Sequence, residues 1–544
     1  MSPHAEYPTP QNNNQPLRSV HRATQPKMHR NTSYLRPSSE DELHDILCVG
    51  FGPASLAIAV AMHDAIEASG HVGQLDRLPK VAFLEKQPEF RWHAGMLLEG
   101  AHMQISFIKD MATLRNPRSN FTYLNYLHKN DRLIDFTNLS TFLPPRDEYE
   151  DYLRWCASHF NDVTSYGQEV VQVVPEKTTI DSAAVDSFVV KSRNTVTGET
   201  TSRRARHVVI ATGGRAKIPE PFPKDHPRVI HSSAFKYTVP KLLRERNAPY
   251  KIAVIGGGQS AAEIFENLQS NYPNSSTNLI IRAQHLRPSD DSPFVNEIFN
   301  PERTDDMFSR EAELRTKTIL DDKVTNYGVV RLNLLERIFE TMYLQKMRYG
   351  AQENWPHRIL NFRTIVDAGE SPAIKGGVRL VVNNHSSEFC AQKSATEEVH
   401  DYDLVVVAVG YERNEHEDIL QGSRWLMPGG GSAGQKWEVN RQYGVLFEEG
   451  KVSSNAGIWL QGCNEMTHGV SFPQTLPGVV LPQSYTPPRL PACHDSLAKL
   501  HPSPSYLASH TLLQNPRETG FRLVFRHTRT RFKASFSTLR RIQC

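Results

Sequence analysis

Two glycine turns, each set between an apolar strand pattern and a helix pattern, restrict the fold more than any other feature. The first runs Ile46-Leu-Cys-Val-Gly-Phe-Gly-Pro-Ala-Ser-Leu56 and the second Lys251-Ile-Ala-Val-Ile-Gly-Gly-Gly-Gln-Ser-Ala-Ala-Glu263. Such a turn lets the backbone come close to a pyrophosphate, and the helix after it offers unpaired N–H groups and a partial positive charge. In the first, Gly50, Gly52 and Pro53 carry the pattern, but Ser55 stands where G-x-G-x-x-G has its third glycine, so this turn alone is weak evidence. In the second, Gly256, Gly258 and Ala261 complete G-x-G-x-x-G/A. The pair predicts an α/β chain with two dinucleotide-binding, Rossmann-like domains.

The strand after each turn separates the two nucleotides. Lys80-Val-Ala-Phe-Leu-Glu-Lys86 places Glu85 near a strand end, where a carboxylate accepts from both hydroxyls of an adenosine ribose; a solvated charge is the other reading. Asn278-Leu-Ile-Ile-Arg282 ends instead in a guanidinium, which pairs with a 2′-phosphate that an acid would repel. These features imply FAD at the first turn and NADPH at the second, with a hydride passing between them.

A chain of 544 residues holds two or three domains, and its net charge of +3 is too small to point to nucleic acid. No apolar run reaches the ~18 residues of a membrane span. The six cysteines form no C-x-x-C pair, which argues against a disulfide framework, a zinc site and a dithiol reductase. They read as small buried hydrophobes in a reducing, cytoplasmic setting. Residues 1–40 resemble a disordered leader; an Arg-rich, acid-poor start leaves organelle targeting open, although Pro8, Pro10, Pro16 and Pro26 interrupt any amphipathic helix.

Between these landmarks the patterns divide the chain into a first part of the FAD domain at 41–230 and an NADPH domain at 231–402. The latter contains a mainly helical substrate-binding insertion at about 287–350, and the FAD domain resumes at 403–470. The alternating runs from Gly167 to Ile210 suggest a small antiparallel sheet. His207-Val-Val-Ile-Ala-Thr-Gly-Gly214 and Asp403-Leu-Val-Val-Val-Ala-Val-Gly-Tyr411 share one design, an apolar strand ending in small residues, so the second is expected to return the chain to the first domain. His102 to Pro117 mixes polar and apolar residues without periodicity, as either a ligand-lining or an ordinary surface loop does.

Several ordered motifs extend this pattern: Met103-Gln-Ile-Ser-Phe-Ile-Lys-Asp110, Asp290-Asp-Ser-Pro-Phe-Val-Asn-Glu297, Asn326-Tyr-Gly328 and Gln461-Gly-Cys-Asn-Glu-Met-Thr-His-Gly469. With the two turns, they make residues 43 to 470 resemble the flavin-dependent N-hydroxylating monooxygenases, most closely the fungal L-ornithine N5-monooxygenases of hydroxamate siderophore synthesis. The resemblance implies that NADPH reduces FAD, dioxygen adds at flavin C4a, and the hydroperoxide passes its distal oxygen to the ornithine side-chain amine. It also implies that Lys109 pairs with the substrate carboxylate, that Asn296 and Asn326 hydrogen-bond its amino-acid end, that Gln104 lies by flavin and nicotinamide, and that Gln259, Ser260 and Arg282 grip NADPH. Without it, Lys109 reads first as a solvated charge, and the alternative for the two asparagines is turn or cap chemistry. L-Lysine N6-hydroxylation is the near alternative, since one methylene is worth only about 1–3 kcal/mol in a pocket. Members of this family often form homotetramers.

After His468-Gly-Val-Ser471 the pattern departs from the family. Eight prolines follow from Pro473 to Pro504, and beyond Asp495 the only acid is Glu518 among many arginines. We read residues 471–544 as the product of a shifted reading frame or a retained intron, against a genuine basic tail; sequencing the transcript across codon 471 decides between them. This break motivates the alternative of an inactive flavoprotein serving as a binding module.

Overall fold

The computed structural model of the chain describes residues 33–469, apart from 71, 73, 75–77, 177–183 and 387–394. Residues 1–32 and 470–544 therefore lie outside the described residues, while the described end of the expected disordered leader is packed: Leu35 is 1% exposed in the first core, and the Ser33 hydroxyl donates to Asp162 at 3.0 Å.

The first domain opens with β1 (Leu43–Val49), α1 (Pro53–Ser69) and β2 (Val81–Glu85). Pro53 occupies the first turn of α1, where its missing N–H costs nothing, and Gly70 ends the helix in the left-handed conformation. Helices α2 (Tyr123–Lys129), α3 (Leu133–Asn138) and α4 (Arg146–Ser158) follow. The chain then re-enters the sheet as β3 (Thr164–Tyr166), β4 (Gln168–Pro175), β5 (Phe188–Asn194) and β6 (Thr200–Ile210). The strand order is β3-β2-β1-β6-β5-β4.

The antiparallel strands β4 and β5 are an extension of this sheet rather than the separate small sheet expected. The length of β6 explains it: residues 200–205 pair with β5, while Arg204 to Ile210 pair in parallel with β1. One face of the sheet is covered by α1, α2 and α4, with Leu56, Val60, Phe83, Tyr123, Tyr149 and Tyr152 all fully buried between the layers. Each such side chain contributes on the order of 1.5–3 kcal/mol of burial.

The two-residue strand β7 (Arg215–Ala216) leads out to the second domain, made of β8 (Val229–His231), α5 (Phe235–Leu242), β9 (Lys251–Ile255), α6 (Gln259–Asn271) and β10 (Ser276–Ile280). Next come α7 (Pro293–Asn296), α8 (Arg303–Ser309), α9 (Ala312–Lys323) and α10 (Leu332–Tyr349). The domain closes with β11 (His357–Leu360), β12 (Arg363–Glu370), β13 (Val378–Asn384), β14 (Thr396–Tyr402) and β15 (Leu404–Val407). Its parallel sheet has the order β11-β10-β9-β15-β8. Ile264, Phe265, Leu334 and Ile338 from α6 and α10 pack on one face; Val378, Leu380 and Val382 from the antiparallel trio β12-β13-β14 pack on the other.

Three expected boundaries move. Strand β15 pairs with β9 and β8, so residues 403–407 stay with the second domain, and the return falls after β16 (Tyr411–Glu412), which pairs with β7 in a two-stranded link. Local sequence cannot choose between two sheets for an apolar strand buried on both faces. Strand β8 likewise starts the second domain before residue 231. Helix α10 packs in the second core as the crossover between β10 and β11, which confines the insertion to about 287–331.

The returning chain forms α11 (Glu415–Ile419), β17 (Gly457–Leu460), paired in parallel with β6, and α12 (Glu465–His468). Its Leu420, Leu426 and Trp437 cover the other face of the first sheet, against Leu47, Val49 and Val208. Cys48 and Cys156 are buried and Cys463 half-buried, all three free thiols. Among the described residues no helix is long and apolar enough to cross a membrane.

Candidate active site

At the first turn Gly50 has φ +89°, and a Cβ there would lie 2.7 Å from the Ala211 carbonyl oxygen, at the end of β6. Gly52 caps α1 with ordinary φ −80° and supplies no side chain to its N–H groups, and no acid sits in the first helical turn. A Cβ on Gly52 would meet nothing within 4 Å. An open, uncapped helix start of this kind fits a pyrophosphate. Ser55 is fully buried at the contact of α1 with β1, so it serves the helix–strand packing of the missing third glycine. Burial pushes Cys48 up to about 12. Glu85, at the end of β2, accepts the Phe51 N–H at 2.7 Å and the Gln87 N–H at 2.9 Å. These bonds hold its carboxylate at the mouth of the turn and leave lone pairs for ribose hydroxyls.

The second turn repeats the construction. Gly256 has φ +132°, and its Cβ would lie 2.4 Å from the carbonyl oxygen of Ala408, just beyond β15. The similar ends of β6 and β15 thus cover the two turns in the same way. Gly258 caps α6, again with no side-chain cap and no acid in the first turn. Here the insertion comes close: Cα of Gly328 is 3.4 Å from a Cβ built on Gly258. Gln259 accepts the Arg331 N–H at 2.9 Å and donates to Glu263 at 2.9 Å. Ser260 follows in the same turn, half-buried, and Arg282 is exposed two residues beyond the end of β10.

The loop from Met103 to Thr113 faces the insertion. Its anchor is Asp110, 7% exposed, which accepts from the N–H groups of Ala112 (2.9 Å), Thr113 (2.6 Å) and Tyr123 (2.7 Å) and from the Thr113 hydroxyl (2.7 Å). Burial nevertheless raises its carboxyl above the usual range. Beside it, Lys109 reaches to 5.9 Å from the ring of Phe299, the third residue after Asn296, and burial lowers the pKa of its ammonium. Asn296 ends α7 and donates to the Asp291 carbonyl at 2.9 Å, so its amide does hold a turn. Asn326 donates to the Thr325 hydroxyl at 2.8 Å. The Asp290 N–H, donating to the Thr325 carbonyl at 3.2 Å, lays the two asparagine loops side by side. Gln104 is exposed, and its carbonyl accepts from Arg331 at 3.4 Å.

Several residues join the site that the sequence did not mark as site residues. Arg331 bridges Gln104 and, at 3.3 Å, Asp291; nothing in its neighbours signals this. Tyr327, inside the Asn-Tyr-Gly motif, donates to Glu465 at 2.5 Å, and Lys323 pairs with the same carboxylate at 3.0 Å, tying α12 to the insertion. His468 stacks on Tyr443 with ring centroids 4.0 Å apart, and burial drops its pKa to about 4. The segment after Gly469, where the pattern departs from the family, lies outside the described residues.

Two uncapped glycine turns on separate sheets, one followed by an acid at the next strand end and the other by an arginine, with a helical insertion over the second, define an oxidoreductase of two dinucleotides. Residues 42–413 match the family described as L-lysine 6-monooxygenase/L-ornithine 5-monooxygenase, and the chain belongs to that family. It is 59% identical over 453 residues to an L-ornithine N(5)-monooxygenase of Cochliobolus heterostrophus, covering 81% of this chain and 85% of the relative. Among solved structures, the ornithine hydroxylase of Pseudomonas aeruginosa superposes with a TM-score of 0.70 at 35% identity, covering 84% of this chain and 99% of that one. An ornithine N-hydroxylase of Kutzneria sp. 744, solved with reduced FAD, NADP+ and L-ornithine, gives a TM-score of 0.68 at 30% identity, covering 84% and 99%.

Proposed function

We propose that this chain is a cytoplasmic L-ornithine N5-monooxygenase, using FAD, NADPH and dioxygen to hydroxylate the side-chain amine at the entry to hydroxamate siderophore synthesis. The observation that carries the reading is the approach of half-buried Lys109 to within 5.9 Å of the Phe299 ring, in the turn that follows Asn296, with the Asn326 loop hydrogen-bonded alongside that segment. Gly50, Gly52, Pro53 and Glu85 would hold FAD; Gly256, Gly258, Gln259, Ser260 and Arg282 would hold NADPH. Once bound and reduced, the flavin supplies the activation of dioxygen.

The chain's own residues bind, orient and exclude water. Lys109, whose ammonium is disfavoured by burial, gains most from a carboxylate partner, so it would fix the amino-acid end of the substrate. Asn296 and Asn326 add hydrogen bonds there without adding charge. The far end of ornithine is then delivered toward Gln104. The reacting amine must be neutral, although a free ammonium of this kind titrates at ~10.4, so binding must favour its deprotonated form.

The test is purified protein with FAD, NADPH and oxygen, assayed for a hydroxylamine product from ornithine and from lysine. Product from ornithine supports the proposal. Product from lysine alone, or NADPH consumed with no hydroxylamine from either amine, overturns it.

A further inference from the structure

Glu263, last residue of the second glycine stretch, and Arg146, first residue of α4, hold neither nucleotide nor substrate in the proposed function. They form a two-pronged ion pair across the two dinucleotide domains: Arg146 Nη1 to Glu263 Oε2 is 2.9 Å and Nη2 to Oε1 is 2.7 Å. The two side chains are only 11% and 9% exposed. The interface around them is tight. Met96, from the first domain, packs in the core of the second, and a Cβ on Gly95 would lie 1.7 Å from the Ser233 carbonyl oxygen. Arg146 also donates to the carbonyls of Met96 at 2.9 Å and His102 at 3.4 Å.

Followed outward, these bonds close a ring. Glu263 lies four residues from Gln259, on the same face of α6, and takes its amide N–H; the other end of that amide takes the Arg331 N–H. The Arg331 guanidinium returns to the carbonyl of Gln104, two residues from the His102 carbonyl that Arg146 holds. A buried carboxylate that accepts both the amide and a bidentate guanidinium fixes the amide's rotation, because a flip would set two acceptors against each other.

We propose that Arg146 and Glu263 are positioning residues, which set Gln259 for NADPH and hold it in register with the loop of Gln104. The inference rests on the reading of Gln259 as an NADPH contact. Its test is a double-mutant cycle on the holoprotein with Q259A, E263Q and Q259A/E263Q, read as the Kd of NADP+ by calorimetry together with bound flavin and the KM for ornithine. Q259A is expected to weaken NADP+ about tenfold and E263Q about fivefold, with the double variant no weaker than Q259A within twofold. Flavin content and ornithine KM stay within twofold of the parent. Unchanged binding by Q259A defeats the reading of Gln259 and the inference with it. Weakened Q259A beside unchanged E263Q, or losses that multiply, defeats the inference alone. Should E263Q fail to fold, R146K, which keeps the charge pair but loses the fork, takes its place in the cycle; parent-like NADP+ binding by R146K then overturns the proposal.

Discussion

Replacing Gly52 by alanine separates the cost to the protein from the cost to a ligand. Gly52 has φ −80°, which any residue adopts, and an added Cβ meets no atom within 4 Å. Alanine there is therefore unstrained, and by restricting the unfolded chain it should stabilise the flavin-free protein by up to about 0.4–1 kcal/mol. Gly50 behaves oppositely. At φ +89° with a backbone oxygen 2.7 Å from the new carbon, alanine costs roughly 1–2 kcal/mol in conformation before the clash is counted. If a pyrophosphate lies over the uncapped start of α1, the G52A methyl occupies its approach and weakens the helix–phosphate contact. A loss of about 1.4 kcal/mol, tenfold in Kd, is the expected minimum. The assay is thermal melting of deflavinated protein followed by FAD titration, watched by flavin fluorescence. G52A should melt at or slightly above the parent and bind FAD at least tenfold more weakly. Parent-like FAD affinity in G52A would refute the placement of the pyrophosphate, whatever G50A does.

Lys109→Ala removes a charge-assisted contact worth about 1.5–3 kcal/mol, so the KM for ornithine should rise about tenfold to a hundredfold while that for NADPH stays within twofold; an unchanged ornithine KM removes Lys109 from the site. Tyr327→Phe deletes the bond to Glu465 and should cost about 1 kcal/mol, with faster hydrogen exchange over residues 457–469. Exchange at the parent rate there would show that the insertion does not anchor the returning chain. Burial drops His63, His207, His357 and His468 each to about 4, so the unfolded chain binds their protons first. Their contribution is complete above the unfolded value of ~6.5 and is lost as pH falls toward the folded one, on the order of 3 kcal/mol per site at the limit. Melting temperature should therefore fall steadily between pH 6.5 and 4.5, and a flat profile across that window would contradict the burial argument.

What was legible in the sequence is what short stretches dictate. Glycines between a strand and a helix, and an acid or an arginine at the next strand end, act through neighbours in the chain. The structure returns each of them in its place, with Ala211 and Ala408 over the two turns. What was not legible depends on partners far away. Strands β6 and β15 have one local pattern and belong to different sheets, because pairing is decided by the competing sheet edges rather than by either segment. Arg146 and Glu263 lie 117 residues apart, and neither neighbourhood announces the other. Lys109 and Asn296 were singled out by the resemblance; that their segments face one another is a matter of the tertiary fold.

The central claim is that one oxygen atom of dioxygen is placed on the side-chain nitrogen of ornithine at the expense of NADPH. Mass spectrometry of the product formed by the purified chain with FAD, NADPH, ornithine and isotopically labelled dioxygen tests it most directly. One labelled oxygen on the terminal nitrogen is expected for each NADPH oxidised. Label found only in hydrogen peroxide, with ornithine recovered unchanged, would contradict it.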